Sequence, residues 1–246
     1  MEQLGVQLLN IKDMKGKVAY ITGGTKGIGY GIAQCLLEVG MKVAISGRTK
    51  ESVESALKEL DNDNAIGLVS DVSVLQDEVK AVKVILETYG KLDVVLANAG
   101  LGHFAPVDEL SEVNWHQMIN VNLNGVFHTL KASVEALKAS KGYYMTVASL
   151  AGTNFFASGA GYNATKFGVV GFTQAVMLDL RKYDVKVTTI MPGSVASNFN
   201  NNEPNEKDAW KIQPEDIGAL VVDLLQMNPR TLPSKIEVRP TRPDTK

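Results

Sequence analysis

Short apolar runs alternate with longer stretches whose apolar residues recur every three or four positions, and the alternation continues along most of the chain. Runs over 17–21 (KVAYI), 42–46, 65–69, 92–96, 143–147, 185–190 and 234–238 predict strands. Helical spacing follows the first run at Ile32, Ala33, Leu36 and Leu37, and returns over 50–60. A capping box, Ser73-x-x-Gln76, is expected to open a helix ending at Tyr89. Ser111 is expected to cap a long helix that includes 118–125, and further helices are predicted over 161–183 and 214–227. Strand–helix alternation of this kind predicts an α/β fold, a doubly wound parallel sheet of about seven strands with helices on both faces. No repeat or linker interrupts it, so 15–240 is expected to be one domain, after an extension over 1–14 and before a Pro- and charge-rich tail over 241–246. Met14 is an alternative start of translation. Residues 194–213 are polar, Asn-rich and aperiodic, which fits a loop over a site or a surface linker equally.

A chain of 246 residues buries one α/β core comfortably. With 45% hydrophobic residues, 21% charged and a net charge of −2, it offers no electrostatic reason for a nucleic-acid or anionic-membrane partner. No apolar run approaches the roughly 20 residues a bilayer span needs, and the N-terminus lacks the basic start and apolar core of a secretory signal, so a cytoplasmic location is expected. The single cysteine, Cys35, excludes an intrachain disulfide and lies on an apolar helix face, where a buried, inert thiol is expected. His103, His116 and His128 lack metal-ligand spacing, and no metal is expected; His103 stands out because its loop follows a strand end.

Candidate chemistry concentrates in 142–171. Ser149 sits just past a strand, and Tyr162 and Lys166 lie four apart, on one helical face. A free phenol titrates near pH 10, and bringing it to about 7 requires roughly 4 kcal/mol. One ammonium at about 4 Å and an effective dielectric near 20 supplies about that much. Lys166, helped by a cationic cofactor ring, is therefore expected to poise Tyr162 as a general acid–base, with the Ser149 hydroxyl holding the substrate oxygen. No side chain donates hydride, so such a pair calls for a redox cofactor.

The run into TGGTKGIG (22–29) offers a place for one. Strand, glycine turn and helix form a phosphate-binding arrangement or a plain tight turn. The second strand ends in Ser46-Gly47-Arg48, with no acid before Glu51 to hold a ribose 2′-hydroxyl. Arg48, with Lys26, is instead suited to a 2′-phosphate, which favours NADP(H) over NAD(H).

TGGTKGIG, Asp71-Val72, ANAG (97–100), Asn122, Ser149, YNATK (162–166) and Pro192-Gly193, in this order, resemble the short-chain dehydrogenase/reductase family in its compact single-domain branch. The resemblance covers 15–240. Each motif is weak singly; the ordered set is specific. It implies a Rossmann-type fold in which Gly23, Thr25, Lys26, Gly27, Ile28 and Gly29 hold the pyrophosphate. Asp71 and Val72 would meet the adenine, and Asn98, Ala99 and Gly100 the adenosine ribose. Pro192, Gly193 and Val195 would border the nicotinamide. It further implies Tyr162 as proton donor or acceptor, Ser149 as the hydroxyl orienting the carbonyl, and Lys166 as holding the nicotinamide ribose. Asn122 would position a water in a proton relay. Many members read NNAG where this chain reads ANAG, which keeps Asn98. A homo-oligomer, dimer or tetramer, is implied through helices over 114–138 and 161–183.

The implied activity is NADP(H)-dependent hydride transfer between the nicotinamide and a ketone or secondary alcohol. A 3-oxoacyl-[acyl-carrier-protein] reductase and a non-catalytic NADP(H)-binding regulator are the alternatives. Sugar-nucleotide epimerases share the cofactor logic but usually need a larger C-terminal portion. A pocket wall of His103, Phe104, Phe155, Phe156 and 194–213 suits a small or medium ketone with some polarity. The ending SKIEVRPTRP resembles that of reductases similar to serine/3-hydroxy acid dehydrogenases.

Overall fold

In the computed structural model, which describes residues 13–242, strand side chains point alternately into two helical layers. Strand β1 (Val18–Ile21) shows why. Val18 and Tyr20 enter a core shared with helices α3 (Leu75–Tyr89), α5 (Gly125–Ser140) and α6 (Ala160–Leu180), while Ala19 and Ile21 enter one shared with α1 (Gly27–Glu38) and α7 (Pro214–Gln226). A sheet covered on both faces has to be apolar on both, hence the unbroken apolar runs in the sequence. The remaining strands are β2 (Lys42–Gly47), β3 (Ala65–Val69), β4 (Val94–Ala97), β5 (Tyr143–Val147), β6 (Lys186–Pro192) and β7 (Lys235–Val238).

All seven strands are parallel, in the order β3-β2-β1-β4-β5-β6-β7. The winding direction reverses between β1 and β4, and the crevice outside the carboxyl ends of strands at such a reversal is where α/β sheets bind ligands. Two of the expected strands move: β4 starts at Val94 rather than 92, and β6 runs on to Pro192, where it pairs with Val238. Helix α2 (Lys50–Leu60) matches its expected span, capped by the Thr49 side chain.

The capping box at Ser73 does not form. Asp71 Oδ1 takes both the Ser73 hydroxyl (2.7 Å) and its N–H (2.9 Å), a local turn that competes with capping. Helix α3 begins instead at Leu75, without a side-chain cap. The long helix predicted after Ser111 is broken into three. Ser111 caps α4 (Glu112–Met118) by accepting from Asn114, a π-helical turn follows over Ile119–Asn124, and α5 continues from Gly125. The helix predicted over 161–183 is α6 with a 3-10 turn, Arg181–Tyr183, after it.

Cys35 is half-buried rather than buried. It sits where α1 crosses α7, at a spacing so close that a Cβ on Gly218 would meet its sulfur at 2.5 Å. Burial raises its thiol pKa, so the inert reading stands. Of the expected extension over 1–14, residues 1–12 lie outside the described residues; Met14 is buried among the α1-side core residues. Residues 243–246 of the expected tail also lie outside. No described helix is long and apolar enough to cross a membrane.

Candidate active site

The strand ends open into one cleft of about 1230 Å³. It is lined by every sequence-predicted catalytic and cofactor-binding residue except Gly29 and Asn122, both of which are buried; of the expected pocket wall, Phe104 does not line it. At the β1 end the chain turns so tightly that glycine is required. Gly23 has φ +63°, and a Cβ there would meet the Ala99 backbone at 2.9 Å. The Asn98 side chain clamps this turn, donating to Thr22 O (2.9 Å) and Gly23 O (3.1 Å). Thr22 Oγ1 in turn accepts from the N–H groups of Asn98 and Ala99. Asn98 and Ala99 thus fix the turn as well as lining the cleft. Helix α1 starts in the turn with no side-chain cap on its N-terminus, leaving first-turn N–H groups for an anion.

Lys26 and Arg48 line the same end, both exposed and without a hydrogen-bond or ion-pair partner among the described residues. β2 ends at Gly47, where a Cβ would strike Thr25 at 2.6 Å, so no acidic side chain fits there. A bare helix terminus, a glycine cradle and two unpaired cations fit a phosphate-bearing dinucleotide. Asp71 lines this end too, its Oδ1 committed to Ser73.

Ser149, Tyr162 and Lys166 converge at the other end. Ser149 opens a 3-10 turn (Leu150–Gly152), accepts from Ala151 N–H at 3.1 Å, and turns its hydroxyl towards the Tyr162 phenol. Asn163 ties the Ser149 loop to α6 by donating to Ala151 O and Asn154 O, both at 2.7 Å. Lys166 Nζ donates to Val147 O at 3.1 Å and lies 5.6 Å from the centroid of the Tyr162 ring. Lysine and tyrosine therefore share one face, as their spacing predicts.

The expected pKa depression of Tyr162 is not met by the protein groups. Burial pushes the phenol up to about 12, and the hydrogen-bonded Ser149 hydroxyl only partly offsets this. The same burial holds the Lys166 ammonium down to about 8. A dry site penalises both charged forms, and desolvation outweighs the attraction counted from the sequence. At neutral pH the pair rests as phenol and ammonium. That arrangement is set up to give a proton away.

Asn122 sits in the π-helical turn, 1% exposed. Its Oδ1 accepts from Leu101 N–H (2.9 Å), and its amide donates to Leu101 O (2.8 Å) and Thr165 Oγ1 (3.1 Å). Both amide donors are spent, so the side chain fastens the loop after β4 to α6.

Phe104 meets the Tyr162 ring edge-on at 5.4 Å, with Phe199 at 5.7 Å and Phe156 against Phe104 at 5.7 Å. Phe155 also lines the cleft, stacked on Phe167. Phe199 belongs to the stretch left open between loop and linker. That stretch is folded: Val195 bridges to Ile212, and 3-10 turns form over Phe199–Asn201 and Glu206–Asp208. Missed from the sequence were Leu101, Gly102, Gln117, Val121 and Arg239, all cleft-lining. Gln117 and Val121 stand four apart, a spacing that puts them on one helical face. His103 pairs with Gln117 (2.9 Å) and His128 with Val72 O (2.9 Å), while His116 sits 3.5 Å from Glu112. No cluster suited to a metal ion occurs among the described residues.

Comparison with known proteins agrees with this geometry. An uncharacterized oxidoreductase of Staphylococcus aureus (strain USA300) is 33% identical over 225 residues, 91% of this chain and 97% of that protein. An alcohol dehydrogenase from the archaeon Thermococcus sibiricus, solved with 5-hydroxy-NADP, superposes with a TM-score of 0.86 at 32% identity, covering 93% of this chain and 99% of that one. A 3-ketoacyl-(acyl-carrier-protein) reductase from Brucella melitensis, solved with NADH, gives 0.85 at 26% identity, with 93% and 99% covered. The sequence pattern of the short chain dehydrogenase family matches residues 17–208, and the chain belongs to that family of oxidoreductases.

Proposed function

We propose that the protein is an NADP(H)-dependent oxidoreductase that interconverts a ketone and a secondary alcohol, with Ser149, Tyr162, Lys166 and Asn122 forming its site. The observation that carries this reading is one cleft with a buried phenol–ammonium pair at one end and two unpaired cations beside a bare helix N-terminus at the other. The glycine turn (Gly23, Thr25, Lys26, Gly27, Ile28, Gly29) holds the pyrophosphate. Arg48 and Lys26 hold a 2′-phosphate, Asp71 and Val72 border the adenine, and Pro192, Gly193 and Val195 border the nicotinamide. That group, when bound, supplies or accepts the hydride.

The chain's own residues supply the rest. Ser149, whose hydroxyl faces the Tyr162 phenol, donates its O–H to the carbonyl oxygen and fixes its position. Tyr162, protonated at neutral pH, gives its proton to that oxygen as negative charge develops, and takes it back in the oxidative direction. Lys166 favours the phenolate so formed and hydrogen-bonds the nicotinamide ribose. Asn122, its amide committed to Leu101 and Thr165, keeps the loop after β4 in register with α6.

The Thermococcus sibiricus neighbour solved with 5-hydroxy-NADP and the lack of room for an acid at the end of β2 favour NADPH over NADH. We place the protein in the cytoplasm as a homo-oligomer, dimer or tetramer, built on α5 and α6. Phe127, Phe167 and Leu178 on those helices are exposed by 47%, 39% and 58%. The deciding assay is NADPH oxidation over a panel of ketones and 3-oxoacyl thioesters. Tyr162→Phe should abolish turnover and leave NADPH binding intact; undiminished turnover would overturn the mechanism.

A further inference from the structure

The Tyr162 end of the cleft combines open aromatic faces with cations that are already neutralised. Phe104 and Phe156 are 42% and 46% exposed, and Phe199 closes on the Tyr162 ring from the opposite segment. Phe156 and Phe199 line the cleft with Phe104 packed against both, and open rings beside a proton donor form an apolar binding wall. The nearby surface cations already have carboxylate partners. Lys211 Nζ lies 2.7 Å from Asp208, and Arg239 lies 2.8 Å from Glu237. Lys166 is turned onto Val147 O and the Tyr162 ring.

We propose that the substrate is an uncharged ketone, or the corresponding secondary alcohol, carrying an aryl or similarly bulky apolar arm that packs against the cleft-lining rings of Phe156 and Phe199. This rests on the oxidoreductase reading and narrows it. A carboxylate on the substrate arm would lose its hydration here and find no unpaired cation, so 3-oxo acids and other anionic carbonyl compounds are selected against. The neutral arm exchanges water for ring faces and edges, at no such cost. In the reductive direction the carbonyl π bond breaks, a C–H bond forms with the hydride and an O–H bond with the Tyr162 proton, while the dinucleotide loses two electrons.

The test is steady-state kinetics of the full chain with NADPH on matched ketones: 4′-methylacetophenone, its anionic counterpart 4-acetylbenzoate, and 2-butanone, which lacks the arm. The methyl ketone is expected to exceed the carboxylate in kcat/KM by at least about tenfold, the size of a lost solvation not replaced by pairing. Phe156→Ala and Phe199→Ala should each lower the ratio of 4′-methylacetophenone to 2-butanone about tenfold, mainly through KM. Phe156 is substantially exposed, so its truncation leaves the fold in place; Phe156→Leu, retaining bulk without the ring, should recover part of the ratio. Preference for 4-acetylbenzoate, or ratios unmoved by both variants, would overturn the proposal while leaving the oxidoreductase reading intact. Should no carbonyl compound be turned over, calorimetric titration of the two aryl ketones into the protein with NADP present separates the cases. Binding of the neutral ketone alone upholds the aryl pocket and removes the enzyme; equal binding or none removes the pocket as well.

Discussion

At the glycine-turn end of the cleft, Lys26 and Arg48 stand exposed and unpaired among the described residues, whereas at the Tyr162 end Lys211 and Arg239 are each held against a carboxylate. The walls differ in the same sense. Backbone and small residues line the first end, and phenylalanine rings crowd the second. A cation kept free is available to an incoming phosphate, while one already paired mainly shapes the surface. One end is built to bind by charge, the other by exclusion of water. Each end also has a buried ionisable group in its floor: Lys166 behind the rings, and Glu78 behind 70–72.

Removing Lys166 breaks the aromatic end most severely. Lys166→Met takes away the buried ammonium beside the phenol, and turnover should fall by about 10²–10⁴, the range for losing acid–base assistance. Rapid-quench measurement of a single turnover checks this, and a loss below about tenfold would mean that Tyr162 works without the amine. The same group sets a pH dependence. With its pKa held down to about 8 by burial, Lys166 is charged below that value and neutral above it. Affinity for NADPH should therefore be level at lower pH and weaken as pH rises through about 8. Fluorescence titration across that range reads it directly, and affinity that strengthens with pH would contradict the assigned role.

The charged end predicts a smaller, more selective effect. Replacing both Lys26 and Arg48 by alanine should weaken NADPH by about 10–100-fold, the worth of one or two charge-assisted hydrogen bonds. NADH should change no more than about threefold, since it lacks the 2′-phosphate. Equal losses for both cofactors would assign the two cations to the pyrophosphate instead.

These two ends were not equally legible in the sequence. The charged end is local: a glycine turn, a helix start and one strand end are contiguous patterns, and β2 ending in Gly47-Arg48 can be read without knowing what packs on it. The spacing of Tyr162 and Lys166 is equally local, and so is the serine at the strand end. What spacing does not carry is the dryness of the site, which comes from rings brought together from 104, 156 and 199. Because burial was invisible, the phenol's pKa was expected to move down beside Lys166 and a cofactor ring, whereas the protein groups alone move it up. The π-helical turn was hidden for a related reason. Its residues, INVNLN, keep a helical pattern, and the close packing just before it, where a Cβ on Gly161 would collide with Met118, involves a helix distant in sequence. Ser73 was lost to a competition that a capping motif ignores, since Asp71 two residues earlier takes its hydroxyl first.

The smallest expected effect concerns the floor of the charged end. Glu78 is fully buried; Ser70 (2.7 Å) and Tyr20 (3.0 Å) both donate to Oε1, and Oε2 has no partner. Burial raises its pKa, and the hydroxyls of Ser70, Thr129 and Tyr20 only partly oppose this. The native state thus holds this proton more tightly than the unfolded chain does. Its contribution to stability is complete below the unfolded value of about 4.3 and is lost as pH rises through the folded pKa. Glu78→Gln keeps an acceptor for Ser70 and Tyr20 but cannot ionise. Its amide hydrogens occupy the unpartnered side, which costs about 1–3 kcal/mol at every pH. The variant should melt below the wild type at pH about 4 and close that gap as pH rises towards about 8. Thermal melts across the range read the difference. A gap that stays constant would mean that the carboxyl has the same charge in the folded and unfolded states. The wall at 70–72 would then rest on a neutral or an ionised floor throughout, and the contrast between the two ends would lie in their surface charges alone.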